Sequence, residues 1–166
     1  KKSIQIFSIN KKDGSIIVRY PKLGKLSEYH VETISGDCLL KGIETKNLKL
    51  KSTSGDFDVQ GVIGVKAEVS TVSGDIDLID MQLESLAMSA VSGDYDVKDV
   101  KVSGEISANT VSGDFEFYNV ISKIASFSSV SGDLDAKEFY VESVDLKSVS
   151  GDIDIKNEDK TKPIAV

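Results

Sequence analysis

The triplet Ser-Gly-Asp occurs at residues 35–37, 54–56, 73–75, 92–94, 112–114, 131–133 and 150–152. Successive copies stand 19 residues apart, except for one step of 20 between Gly93 and Gly113. A fixed period of this length marks a stacked repeat, in which no unit can bury its apolar residues without its neighbours. The chain is therefore read as one elongated domain, and everything else is placed by its position within the repeat.

Numbering each coil from its serine as position 1, position 4 is Cys38, Phe57, Ile76, Tyr95, Phe115, Leu134 and Ile153, and position 6 is Leu40, Val59, Leu78, Val97, Phe117, Ala136 and Ile155. Position 5 between them is acidic in six copies: Asp58, Asp77, Asp96, Glu116, Asp135 and Asp154. Apolar–acidic–apolar alternation is the period-2 signature of a strand with one buried face. Position 9 (Ile43, Val62, Met81, Val100, Val120, Phe139) continues the inward set, and a second group follows at positions 14, 16 and 19. Its members include Leu48 and Leu50 at 14 and 16, with Ile106 and Ala108 in the longer coil and valine dominating position 19. The pattern 4, 6, 9 repeated as 14, 16, 19 predicts two arms per coil, and Val102-Ser-Gly-Glu-Ile106 reads as a weaker half-way corner.

Position 8 is Gly42, Gly61, Asp80, Asp99, Asn119, Glu138 and Asn157, mostly residues that tolerate left-handed backbone or bond their own turn. The corner glycine is expected where a side chain would point inward with no room for it. Proline is absent from residues 22 to 162, as suits backbone held in a continuous ladder.

The fold class that follows is all-β: a single-stranded β-solenoid, or β-helix, of about 19 residues per coil and about eight coils. The spacing does not encode handedness, and the general preference for right-handed parallel crossovers favours a right-handed coil. Residues 1–34 form an N-terminal cap and degenerate first coil, in which Ile16 and Val18 match positions 4 and 6 and Tyr29, Val31 and Ile34 match 14, 16 and 19. Ile4, Ile6 and Ile9 precede it as half a coil or a cap. Residues 35–156 carry the seven Ser-Gly-Asp coils, and residues 157–166 a polar C-terminal tail.

Strings such as Thr71-Val-Ser-Gly-Asp-Ile-Asp-Leu78 and Asn109-Thr-Val-Ser-Gly-Asp-Phe115 resemble the bacterial adhesin-type family of Ser-Gly-Asp β-strand repeats, a domain of unknown function. The likeness spans residues 14–156. It implies a bacterial, extracellular or cell-envelope-associated module and supplies no catalytic residues.

Charge narrows the partners. With 20 basic against 27 acidic residues the net charge is −7, which repels nucleic acid and anionic membranes. Arg19 is the only arginine, so bidentate anion recognition has little to work with. No stretch approaches a membrane span and no signal segment is visible. Cys38 is the only cysteine, at an inward position, and His30 the only histidine, with no nucleophile motif around it.

Two features invite chemistry. Position 3 stacks Asp37, Asp56, Asp75, Asp94, Asp114, Asp133 and Asp152, and like charges about 4.8 Å apart repel by about 1 kcal/mol per neighbour in water. Either each carboxylate bonds the N–H groups of its own turn, with Lys41, Lys98, Lys137 and Lys156 relieving the charge, or the column is a calcium ladder. The Gly-Gly-x-Gly-x-Asp pattern of calcium β-rolls is absent. Tyr118 and Tyr140, at positions 7 and 10, are expected outside, where they could contact a sugar ring or a protein.

Repeated equivalent acids single out no acid–base pair, so the expectation is no enzyme and no cofactor. The expected role is a binding or scaffolding module, an adhesin in that family's sense, meeting a protein or cell-wall glycan. A carbohydrate-active β-helix enzyme and a calcium-stabilised rod are the alternatives.

Overall fold

A computed structural model describes residues 3–8, 16–18 and 26–157, with side chains from Ser27 to Asn157. Ten strands lie in one parallel sheet: β1 (Ser3–Ser8), β2 (Ile16–Val18), β3 (Leu26–Ser35), β4 (Cys38–Ser54), β5 (Phe57–Ser70), β6 (Ile76–Ser89), β7 (Tyr95–Asn109), β8 (Phe115–Ser131), β9 (Leu134–Ser150) and β10 (Ile153–Lys156). Each long strand pairs in parallel with the next, and β2 joins beneath β4. Ile76, for example, lies between Phe57 and Tyr95. The chain is a parallel β-solenoid of about seven turns, with about 19 residues per turn. The eight coils expected become about seven because β1, β2 and β10 are each only one side of a turn.

One coil shows how the sequence makes the cross-section. From Ser73 to Val91 the buried residues are Ile76, Leu78, Met81, Leu83, Leu86, Met88 and Ala90, at positions 4, 6, 9, 11, 14, 16 and 18. Strand alternation slips by one residue between 6 and 9 and again between 11 and 14. A strand can keep its inner face inward through such a slip only by bending. The coil thus has three sides where two arms were expected.

The first slip is made at position 8, where Gly42, Gly61, Asp80, Asp99, Asn119 and Glu138 all have φ between 52° and 69°. The second falls at positions 12 and 13, and here the 20-residue coil carries its extra residue, as Ser103-Gly104-Glu105. Gly104 does not share the positive φ of the Ser-Gly-Asp glycines, so this half-way bend is not a second copy of the corner.

Position 19 corrects the sequence reading. Ile34, Val72, Val91, Val111 and Val130 are about half exposed, and the inward place belongs to position 18 with Thr33, Ser52, Thr71, Ala90, Thr110 and Ser129. Alternation from 14 and 16 leads to 18, and small residues are what the narrowing before the corner admits. Larger rings fill the late coils, where Tyr95 stacks on Phe115 at 4.7 Å and Phe117 meets Phe127 at 4.8 Å.

Candidate functional site

The Ser-Gly-Asp corner holds the most suggestive chemistry, the aspartate column. Its seven glycines have φ from 128° to 147°, backbone that L side chains rarely adopt. A Cβ built on Gly93 would fall 2.0 Å from the Gly74 carbonyl oxygen one coil below. The glycine is therefore required by contact along the stack, not by crowding in the interior as the sequence reading has it.

This close approach sets the hydrogen bonds. The Gly74 N–H donates to the Ser92 carbonyl at 3.2 Å and the Ile76 N–H to the Asp94 carbonyl at 2.9 Å, both on the coil above. The aspartate N–H between them donates instead to the carboxylate one coil below: Asp75 to Asp56 at 2.9 Å, Asp94 to Asp75 at 2.9 Å, Asp114 to Asp94 at 2.8 Å and Asp133 to Asp114 at 2.7 Å. Asp56 reaches Asp37 at 3.1 Å and Asp152 reaches Asp133 at 2.8 Å. The carboxylates do offset their repulsion by accepting N–H groups, but across coils, not within their own turns. Among the described residues no three His, Cys, Asp or Glu side chains gather as a metal cluster.

The position-5 acids are tied down differently. Lys98 pairs with Asp96 at 2.5 Å and Lys137 with Asp135 at 3.2 Å, and Lys156 binds Asp154. Asp77 is followed at position 7 by Ile79. Burial, then the like charges of Asp96, Asp58 and Asp75, push its carboxyl above the ordinary range. The folded state thus holds this proton more tightly than the unfolded chain, so ionising Asp77 opposes folding and stability falls as pH rises through the folded-state pKa. Asp77→Asn should raise the melting midpoint at pH ~7, by less than about 1 kcal/mol, and do nothing at pH ~2, where the parent is protonated too. Paired thermal melts at the two pH values check this.

Tyr118 is half exposed, as expected, in a groove of about 200 Å³ lined by Asp96, Lys98, Glu116, Phe117, Asp135 and Lys137. Tyr140 is not outside: it is 6 % exposed and its hydroxyl donates to the Glu138 carboxylate. The two tyrosines also stand in different columns, Tyr118 beside Lys137 and Tyr140 beside Ile121, so they form no joint aromatic patch. Cys38 is buried in the core, and burial pushes its thiol pKa up to about 12, leaving it a core hydrophobe. His30 lies on β3 in register with Gln5 and Lys49.

The surface that sequence reasoning missed is the valine column. Ile34, Val72, Val91, Val111, Val130 and Val149 run up one corner of the solenoid, interrupted only by Thr53. Beside it, at position 17, stand Ser70, Ser89, Asn109 and Ser128, so the flanking strip is uncharged through the middle coils. The available signal was the missing bend residue. The Gly, Asp and Asn of position 8 let 9 turn inward, whereas the Ser, Thr and Ala of position 18 offer no such bend. Alternation from 14 and 16 therefore continues, and 19 faces out.

A family model described as Toastrack DUF4097 matches residues 1–143 and again 68–166. The chain belongs to the Toastrack family. Two overlapping matches are what a repeating chain gives when one model can be laid on it in more than one register. Toastrack is a domain of unknown function, so membership fixes the fold without naming a ligand, and the adhesin label is no part of that description. No curated protein and no solved structure matches this Toastrack chain.

Proposed function

We propose that this chain is a non-catalytic binding and scaffolding module of the bacterial cell envelope, which presents one corner of its solenoid to a protein or glycan partner. The observation that carries the reading is the valine column. Five of its β-branched residues, Ile34, Val72, Val91, Val111 and Val130, lie 48–51 % exposed and in line, with Val72 to Val130 on successive coils about one strand spacing apart and Ile34 beyond Thr53. Stacking alone does not call for apolar residues there, since the Thr53 carbonyl accepts the Ser73 N–H just as the carbonyls of Val72, Val91 and Val111 accept the N–H of Ser92, Ser112 and Ser131. The exposed apolar strip is unbroken from Val72 to Val149 and flanked by small polar side chains in the middle coils. Apolar patches rimmed by polar residues mark interaction sites, which supports one here. The acids, by contrast, serve the stack: six of the position-3 carboxylates accept backbone N–H groups and three position-5 acids hold lysines.

The test is capture from envelope extracts with the whole chain and with Val91→Lys/Val111→Lys. Both side chains are about half exposed, so the melting midpoint should stay within about 1 kcal/mol of the parent. Binding should fall at least about tenfold if each valine contributes the ordinary value of a buried aliphatic contact. Retained binding by the folded variant would remove the valine column from the account and leave the Tyr118 groove as the surface to examine.

A further inference from the structure

On the outer face of the solenoid, positions 5 and 7 form an array whose middle coil departs from its neighbours. Asp96, Glu116 and Asp135 stand in register in one column, and Lys98, Tyr118 and Lys137 in the other. Positions 5 and 7 share a side of each strand because 4 and 6 are buried. On the coils below and above, the acid holds the lysine two residues on: Asp96 with Lys98 at 2.5 Å and Asp135 with Lys137 at 3.2 Å. On the middle coil a tyrosine stands where that lysine would be, and Glu116 has no lysine of its own.

The flanking lysines do not fill the gap. Lys98 feels the Glu116 charge, but its hydrogen bond goes to Asp96, and Lys137 is bound to Asp135. Among the described residues no ion pair reaches Glu116. Three acids against two lysines leave the array one cation short. Asp58 and Asp77 also lack a lysine at position 7, but Gln60 and Ile79 follow them there. Among the position-5 acids, Glu116 alone has an aromatic ring in that place.

That ring is open to a visitor. Tyr118 is 50 % exposed and shares with the five charged residues a groove of about 200 Å³, the size of one large side chain. The face of a tyrosine attracts a cation, and a carboxylate two residues away on the same side supplies the counter-charge. A guanidinium meets both demands at once. Its plane stacks on an aromatic face, its N–H fork pairs with a carboxylate, and it gives up water more readily than an ammonium. A phosphate or an acidic sugar would instead meet the excess of acid.

We infer that the Tyr118 groove receives one arginine side chain of a protein partner, whose guanidinium stacks on the Tyr118 ring, pairs with Glu116 and brings the array to neutrality. The groove lies at positions 5 and 7, apart from the valine column at position 19, so the inference stands whatever that column meets.

The test is an NMR titration of the full chain with an end-blocked Gly-Arg-Gly peptide. Saturable shifts are expected at the Tyr118 ring and at Glu116, with a nuclear Overhauser contact between that ring and the arginine side chain. Tyr118→Lys repeats the pattern of the coils on either side, so it should fold, supply the missing cation from within and lose the peptide. Glu116→Gln and Tyr118→Leu should each weaken binding at least about fivefold. Thermal melts check that all three variants are folded, and should one of them not be, the other two carry the comparison. Undiminished binding by the folded variants would overturn the site. Equal binding of a Gly-Lys-Gly peptide would overturn the stacked guanidinium. Shifts of the same size at Asp58 and Asp77, which lack the ring, would show diffuse attraction to an acidic chain and overturn it too. An N-acetylglucosamine oligomer that moved the Tyr118 signals where the arginine peptide did not would make the groove a glycan site and contradict the inference.

Discussion

Alanine in place of Gly93 is expected to lower the melting midpoint by about 10 °C, from a loss of about 4 kcal/mol. Two costs add. The backbone at Gly93 has φ +146°, which a Cβ makes strained, and that Cβ would lie 2.0 Å from the Gly74 oxygen and 2.8 Å from its carbonyl carbon. Both are main-chain atoms locked in the ladder, so neither can swing aside as a side chain could. Gly42→Ala is the control. Gly42 also has positive φ, +65°, but nothing lies within 4 Å of where its Cβ would be, so only the left-handed penalty of about 1–2 kcal/mol applies. Equal losses at the two sites would contradict the view that the corner glycine exists for contact between coils.

The second large effect is at the carboxylate. Asp94→Ala should cost about 1–2 kcal/mol, because the Asp114 N–H loses a charge-assisted acceptor, the corner geometry offers it no backbone carbonyl, and only water can replace the carboxylate at this exposed position. Asp94→Asn keeps an oxygen in the same place. It loses charge assistance but also removes one like charge from a column whose neighbours repel by about 1 kcal/mol in water, so it should stay within about 1 kcal/mol of the parent. Denaturant midpoints of the three proteins give the comparison, and added salt should narrow the gap between aspartate and asparagine.

Most of the fold was legible because the repeat averages away local ambiguity. A single Phe57-Asp-Val59 could be many things, but seven aligned copies fix a buried strand at positions 4 and 6. The degenerate start was also readable, and β2 pairs Ile16 with Cys38 and Val18 with Leu40 as positions 4 and 6 require. The failures share a cause. Side-chain type misleads at positions 18 and 19, where Thr71 and Thr110 are buried while Val72 and Val111 face out. Position 11 was overlooked because Thr45, Gly64, Leu83, Val102, Ser122 and Val141 share no chemical type, yet five of the six are buried. Thr45 and Ser122 manage it by donating their hydroxyls to the carbonyls of Asn47 and Ile124 at the bend.

The candidate surfaces were less legible than the core, since what a side chain does outside depends on neighbours one coil away that share no sequence proximity. Tyr140 and Tyr118 look alike in the chain and end with opposite exposure. The aspartate column was correctly seen as needing compensation. Its partner was misplaced because an N–H 19 residues ahead, on the next coil, is invisible without the stack.

Residue-resolved amide hydrogen exchange reads that partner directly. In the parent chain the N–H groups of Asp75, Asp94, Asp114 and Asp133 should be protected although they bond no backbone carbonyl. In Asp94→Ala, exchange should accelerate at Asp114, one coil above, while Asp75, one coil below, and residue 94 itself keep their protection. Acceleration confined to residues 94–96, or none at Asp114, would mean that the Ser-Gly-Asp corner is held within its own turn and would contradict the inter-coil ladder on which this account rests.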